Sequence, residues 1–280
     1  MINQHTNKEI LSGVFRVCCR TAGLVIIFLL PLVISNFADI SSAREIPTKK
    51  IPFCPGEKLV YKGTWGKITA GELTLEVLPM ASLNGIDAYH LVMITKTSPR
   101  VDVIYKVRER QDSYVDTGIT RSLFYRKNTI SKHPRDVNVT FDWKNMQATY
   151  TNFGKKTNPV RISPGTFDPL ALFYVIRLQN LKEDSTIYIP LTDGKQNIEV
   201  RAIVGKSSRV KIAGKTYNAI AITPDMKTFD YLKKVTKKSE SAQLKIWVTD
   251  DDQKIPIKIR SKVGIMSFDF ELVPDLSVIR

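Results

Sequence analysis

Three histidines are all the imidazole this chain offers, and that scarcity bounds its chemistry. His5 lies in the amino-terminal leader described below, His90 stands in an alternating stretch (Tyr89-His90-Leu91), and His133 precedes Pro134 in a turn. A zinc site needs three or four nitrogen, sulfur or carboxylate ligands. A Ser-His-Asp relay would have to take its base from His90 or His133, and no G-x-S-x-G elbow presents a serine. The run Asp250-Asp251-Asp252 offers clustered oxygens of the kind a hard cation takes. It lacks the spaced D-x-D-x-D-G pattern, however, and falls at a turn, where aspartate is ordinary. Glu57 and Glu72 are the carboxylates that could form a glycosidase pair; nothing in the sequence fixes their separation, and Glu72 alternates with apolar neighbours as a wet-face residue does. The sequence therefore predicts no catalytic set, no metal site and no cofactor.

Binding chemistry has better candidates. Tyr61, Trp65, Trp143 and Trp247 could stack sugars or hold acyl chains, although bulky aromatics in strands also serve as packing. Residues 225–241 hold Lys227, Lys233, Lys234, Lys237 and Lys238, a basic surface reading as a loop or short exposed helix. Each such side chain near an anionic membrane adds about 1 kcal/mol, and a solvated loop is the plainer alternative. Of three cysteines, Cys18 and Cys19 lie in the leader, so Cys54 alone remains. One cysteine closes no internal disulfide. It either pairs with another molecule or acts as a small, partly buried apolar residue.

The leader sets the context. Arg16 and Arg20 precede an apolar run from Ala22 to Ile34, and Ser41-Ser42-Ala43 supplies a small-x-small exit. This pattern predicts a secretory signal over 1–43, cleaved after Ala43. The run is short against the about 20 residues of a membrane span, with an uncleaved inner-membrane anchor as the alternative. The leader carries three basic and two acidic groups, so residues 44–280 keep +14 of the formal charge of +15. Such a charge concentrates anionic partners in a salt-dependent way. For an exported chain these are lipid headgroups, lipopolysaccharide phosphates or acidic glycans, not nucleic acid.

Residues 44–55 carry three prolines and read as an extended linker. From Lys58 period two takes over: Leu59, Tyr61 and Gly63 alternate with Lys58, Val60 and Lys62, and Leu73, Leu75 and Val77 with Glu72, Thr74 and Glu76. Gly66 and Gly71 bracket the first junction, and Asn84-Gly85 signals a hairpin. Strand texture continues over 88–97, 101–110, 113–116, 122–131, 137–143 and 147–151. Asp168-Pro169 then opens a helix expected over 169–181, apolar nearly all round and hence buried. Strands return at 186–190, 198–204, 209–212 and 217–223, and finally at 244–249, 257–263 and 266–273. The expectation for 56–280 is one mainly β domain. It is a single large curved antiparallel sheet, an open barrel or spiral, wrapped around one buried α-helix.

Two stretches and a turn resemble a known family. They are Phe53-Cys54-Pro55-Gly56-Glu57-Lys58-Leu59-Val60-Tyr61 with Trp65-Gly66 and Ala70-Gly71-Glu72, then Ile246-Trp247-Val248-Thr249-Asp250-Asp251 with Ile255-Pro256-Ile257, and the helix opening Phe167-Asp168-Pro169-Leu170. Together they resemble the exported bacterial domain of unknown function 3108 over Pro52 to Pro274. The resemblance implies a curved antiparallel sheet around a helix in a periplasmic protein, and it brings no catalytic residues. Cys54 and the lysine-rich segment are particular to this sequence.

Three functions follow as expectations. The first is a non-enzymatic periplasmic protein that binds or scaffolds an anionic or amphipathic envelope component, with peripheral membrane contact. The second is an envelope hydrolase acting on glycan or ester through Glu57, His90 or a serine that no motif marks. The third is a structural partner of another envelope protein, joined through Cys54.

Overall fold

The computed structural model describes residues 50–230, 235–238, 243–263 and 266–279; the expected leader lies outside them. The hydrophobic alternation becomes a continuous antiparallel meander: β1 (Lys58–Trp65), β2 (Ile68–Leu83), β3 (Ile86–Thr97), β4 (Arg108–Asp116), β5 (Ser122–Ile130), β6 (Arg135–Asp142), β7 (Gln147–Asn152), then short β8 (Lys155–Lys156) and β9 (Val160–Arg161). After a helical turn come β10 (Thr186–Thr192), β11 (Asn197–Ile212), β12 (Lys215–Asp230), β13 (Val235–Lys238), β14 (Gln243–Thr249), β15 (Pro256–Val263) and β16 (Met266–Leu272). All belong to one sheet, in the order β10-β11-β12-β14-β15-β16-β1-β2 and on through β8, with β13 on β12 and β9 on β7. The first and last long strands pair at its middle, Tyr61 opposite Leu272.

The sheet is not closed by a ladder. Its two ends are drawn together by the segment after β9. Val160 pairs with Ala148 of β7 and the Ile162 N–H donates to the Met146 carbonyl at 2.9 Å; five residues on, the Phe167 N–H donates to the Pro190 carbonyl of β10, also at 2.9 Å. Phe167 and Leu191 form an isolated parallel bridge. The β10–β11 turn presses on β6 and β7: a Cβ added to Gly194, at φ +81°, would stand 2.9 Å from Val139. Glycine alone fits there.

The inward faces of these strands supply the core. Leu73, Leu75 and Val77 of β2, Leu91 of β3, Val139 of β6 and Ile246 of β14 are all buried in one cluster. Into it goes the segment read as a helix over 169–181. The helix is shorter than expected: one α turn, α2 (Leu172–Val175), tightening to a 3-10 turn over Ile176–Leu178. It starts later than expected, at Leu172 with Ala171 as its N-cap; the Asp168 carboxylate instead holds the turn that leads in, accepting the N–H groups of Leu170 and Ala171 at 2.9 and 3.1 Å. It ends early because the Gln179 side-chain amide takes the Val175 carbonyl at 3.0 Å, while Gln179 itself turns extended.

Three further differences have local causes. Residues 101–107 are not strand: Pro99 opens a short turn, α1 (Pro99–Asp102), and Arg108 and Thr97 both grip Asp102. The expected strands 198–204 and 209–212 are one strand, β11, kinked by a bulge between Val204 and Ser207. Much of 225–241 is neither loop nor helix. β11 offers a ladder partner as far as Phe229, so β12 runs on and β13 folds back along it. Propensity yields there to a waiting edge.

One interaction ties the interior to its mouth. Arg177, on the helical turn, meets Glu57 with Nη1 2.6 Å from Oε1 and Nη2 2.9 Å from Oε2, and both side chains are 1% exposed. Its Nε donates to the Gln253 carbonyl at 3.0 Å and Nη2 to the Pro52 carbonyl at 2.9 Å. The guanidinium also lies over the Phe53 ring. A bidentate pair with its remaining donors satisfied tolerates burial; a widowed partner does not. Replacing Glu57→Gln should therefore cost about 3–5 kcal/mol in urea unfolding, and Glu57→Gln combined with Arg177→Met should recover much of that loss.

Candidate functional site

The four aromatic candidates do not converge. Tyr61 is wholly buried, its hydroxyl donating to the Pro256 carbonyl at 2.7 Å, and burial pushes its phenol well up. It is core. Trp65 is 43% exposed at the end of β1, beside Phe268. Trp247 faces outward between buried Ile246 and Val248, with Lys245, Lys258 and Arg260 at 5.0, 5.9 and 5.7 Å from its ring centre. Two of those cations are already engaged, Lys258 by Glu271 at 2.6 Å and Arg260 by Asp269 at 2.6 Å. Lys227 sits in β12, opposite Lys238 of β13 and Glu199 of β11, with Lys237 opposite Thr228. Lys233 and Lys234 lie outside the described residues.

The residues considered for catalysis are committed to structure. Glu57 is held by Arg177, and Glu72 by Lys96 at 2.9 Å, so they form no carboxylate pair. His90 is on the outer face, its Nε2 2.9 Å from Asp112 and its ring stacked on Tyr114. His133 is exposed in its turn. Asp251 caps its own turn, accepting from Thr249, Gln253 and Lys254. Among the described residues no three His, Cys, Asp or Glu side chains group to hold a metal. Cys54 is a free, half-buried thiol.

A buried cluster escaped the sequence reading. The Asp168 carboxylate, besides capping the helical turn, accepts from the hydroxyls of Ser113 and Ser122 at 2.6 and 2.5 Å. Burial pushes its carboxyl up, against the pull of those four hydrogen bonds. Asp168-Pro169 was legible as a cap; serines about fifty places distant in the chain leave no local trace.

Concave chemistry gathers at Trp143. This residue lies in the β6–β7 turn, its indole N–H donating to the Ser122 carbonyl at 2.9 Å and its ring parallel to Phe141. Arg121, in the β4–β5 turn, spreads its guanidinium 5.2 Å from the ring centre. Its Nε–H is enclosed without a hydrogen-bond acceptor, the Asp116 carboxylate standing 3.8 Å away. Asp116, Thr120, Met146, Pro164 and Gly165 complete an open cleft of about 440 Å³. An indole face, a guanidinium and a carboxylate in one opening suit a ligand that carries hydroxyls and an acid group together.

The family model for "Protein of unknown function (DUF3108)" matches residues 60–273, and the chain belongs to that family. No curated protein matches it. Among solved structures it is similar to a beta-barrel-like protein of domain of unknown function DUF1849 from Brucella abortus, with 13% identity, coverage of 80% of this chain and 98% of that one, and a TM-score of 0.53. At that identity the likeness is one of fold.

The outer-face acids set an acid limit on stability. Burial raises Asp112, but hydrogen bonds from His90 and Arg110 outweigh it and draw the carboxyl from 3.8 to about 2. A depressed carboxyl contributes stability above its unfolded value and loses it as pH falls through the folded one. Unfolding free energy should thus drop as pH falls below 3.8 towards about 2, and Asp112→Asn protein should show a shallower drop over the same window in urea titrations.

Proposed function

We propose that this protein is a non-enzymatic component of the cell envelope that binds or scaffolds an anionic or amphipathic envelope component, a glycan or the sugar headgroup of a glycolipid, on its surface. The leader pattern over 1–43 supports work outside the cytosol after cleavage. The observation that carries the reading is the cleft at Trp143, where an indole and a half-exposed guanidinium share one opening. The interior supports it too. Arg177, Tyr61, Tyr174, Leu170 and Leu172 fill the space between the inward faces, which turns recognition to the outside. Stacking on Trp143 orients a sugar ring, Asp116 accepts from its hydroxyls, and Arg121 takes its acid group.

Equilibrium binding of an acidic envelope oligosaccharide checks this. Arg121→Gln should weaken binding at least tenfold, the loss of a charge-assisted hydrogen bond of about 1.5–3 kcal/mol. Binding should also fall as salt rises, since screening shortens from about 10 Å at 0.1 M to about 3 Å at 1 M. An Arg121→Gln protein that binds as the parent does contradicts the cleft.

A further inference from the structure

We infer that the end of the sheet opposite the Trp143 cleft docks on the surface of an anionic lipid bilayer, an inference that rests on the proposed envelope role. Antiparallel order places the β1–β2 turn, the β3–β4 loop and the β5–β6 turn together at one end. Neighbouring contacts join them: Ser98 donates through its backbone and hydroxyl to the Ala70 and Thr69 carbonyls, and Ile104, Tyr105 and Lys106 share a notch of about 280 Å³ with Ile130, Ser131 and Lys132. The turns at the other end carry Asp116, Asp142 and the run from Asp250 to Asp252.

The joined end bares unusual apolar surface. Val103 is 86% and Ile104 85% exposed, and Tyr105, Ile130, Trp65 and Ile68 are also exposed large apolar residues. These side chains are presented rather than frayed. Val103, Ile104 and Tyr105 lie beyond Lys96 and Arg108, the last ladder pair between β3 and β4, on a loop pinned where Arg108 and Thr97 hold Asp102, and Trp65, Ile68 and Ile130 stand at strand ends. Around them stand Lys67, Arg100, Lys106, Lys132 and Arg135, all exposed. The acids closest in sequence are neutralised at home, Asp102 by Arg108 and Asp136 by Arg126. The result is an aliphatic and aromatic tip inside a ring of uncompensated cations.

That composition selects a lipid surface over a protein. Interfaces between proteins deplete lysine, whereas lysine and arginine about an apolar tip match headgroup phosphates above acyl chains. Tyrosine and tryptophan at the border of the tip match the amphipathic zone of the bilayer. Docked this way, the Trp143 cleft points away from the membrane.

The test is sedimentation of the full-length protein with phosphatidylcholine vesicles, with and without phosphatidylglycerol, comparing parent and variants that share one amino terminus. The parent should prefer the anionic vesicles. Val103→Ser with Ile104→Ser, both at sites too exposed to unfold the domain, should weaken binding at least roughly tenfold. Lys106→Ala and Lys132→Ala should each cost about fivefold. Trp65 emission should be quenched by brominated acyl chains in the parent, with that quenching lost in Trp65→Phe. A parent indifferent to phosphatidylglycerol, or a tip variant that binds as the parent does, overturns the docking surface. If acidic oligosaccharide still binds in that case, the envelope reading stands without it; if neither vesicle nor oligosaccharide binds, both fall.

Discussion

The buried pair of Glu57 and Arg177 is the constraint on which the rest of the structure depends. The chain reaches the interior from three directions: the lead-in ending at Pro52, the helical turn at 172–178, and the turn closing on Gln253. One guanidinium receives all three, 5.2 Å from the centre of the Phe53 ring. Interior charge is costly unless every donor is matched, and here the carboxylate and two carbonyls match them. The pair therefore fixes register between segments 120 residues apart, and the surrounding aliphatic side chains pack on that frame.

From that clamp the sheet can stay open at its seam and still enclose a core. The strap through Phe167 ties β7 to β10 with two backbone hydrogen bonds and an asparagine, Asn197, which donates to the Arg161 carbonyl at 2.7 Å. Hydrogen-bonding groups that a ladder would have used are taken up this way. The two ends of the strands are then free to differ, and they do: acidic turns and the Trp143 cleft at one, basic loops with a bare apolar tip at the other.

Much of this was legible in the chain. Alternation at Leu73, Leu75 and Val77 told strand from helix because one face is dry and the other wet. Asn84-Gly85 turned as expected, at a pair whose residue types allow φ to be positive. The unread parts share one physical cause, namely partners remote in sequence. Nothing near Arg177 in the chain announces Glu57, which stands 120 residues away. The lysines of 225–241 suggested a loop or short exposed helix because nothing local announced that β11 would supply an edge. Val101 to Tyr105 had the residue types of a strand, and only Pro99 and the grip on Asp102 turned them out of the ladder. Tyr61 and Trp247 looked alike in sequence, but strand parity sends one into the core and the other outward. Arg121 was overlooked for the same reason, since it gains its role from Trp143 across a turn.

Native-state hydrogen exchange tests the central claim most directly, because it reads whether the interior opens without the sheet. Amides of Phe173, Tyr174 and Val175, bonded to Leu170 and Ala171, should exchange only through global unfolding, in step with those of Leu75 and Leu91. Early exchange of the helical turn while those strands stay protected would contradict the account, since it would mean the rod leaves and an accessible lumen replaces it.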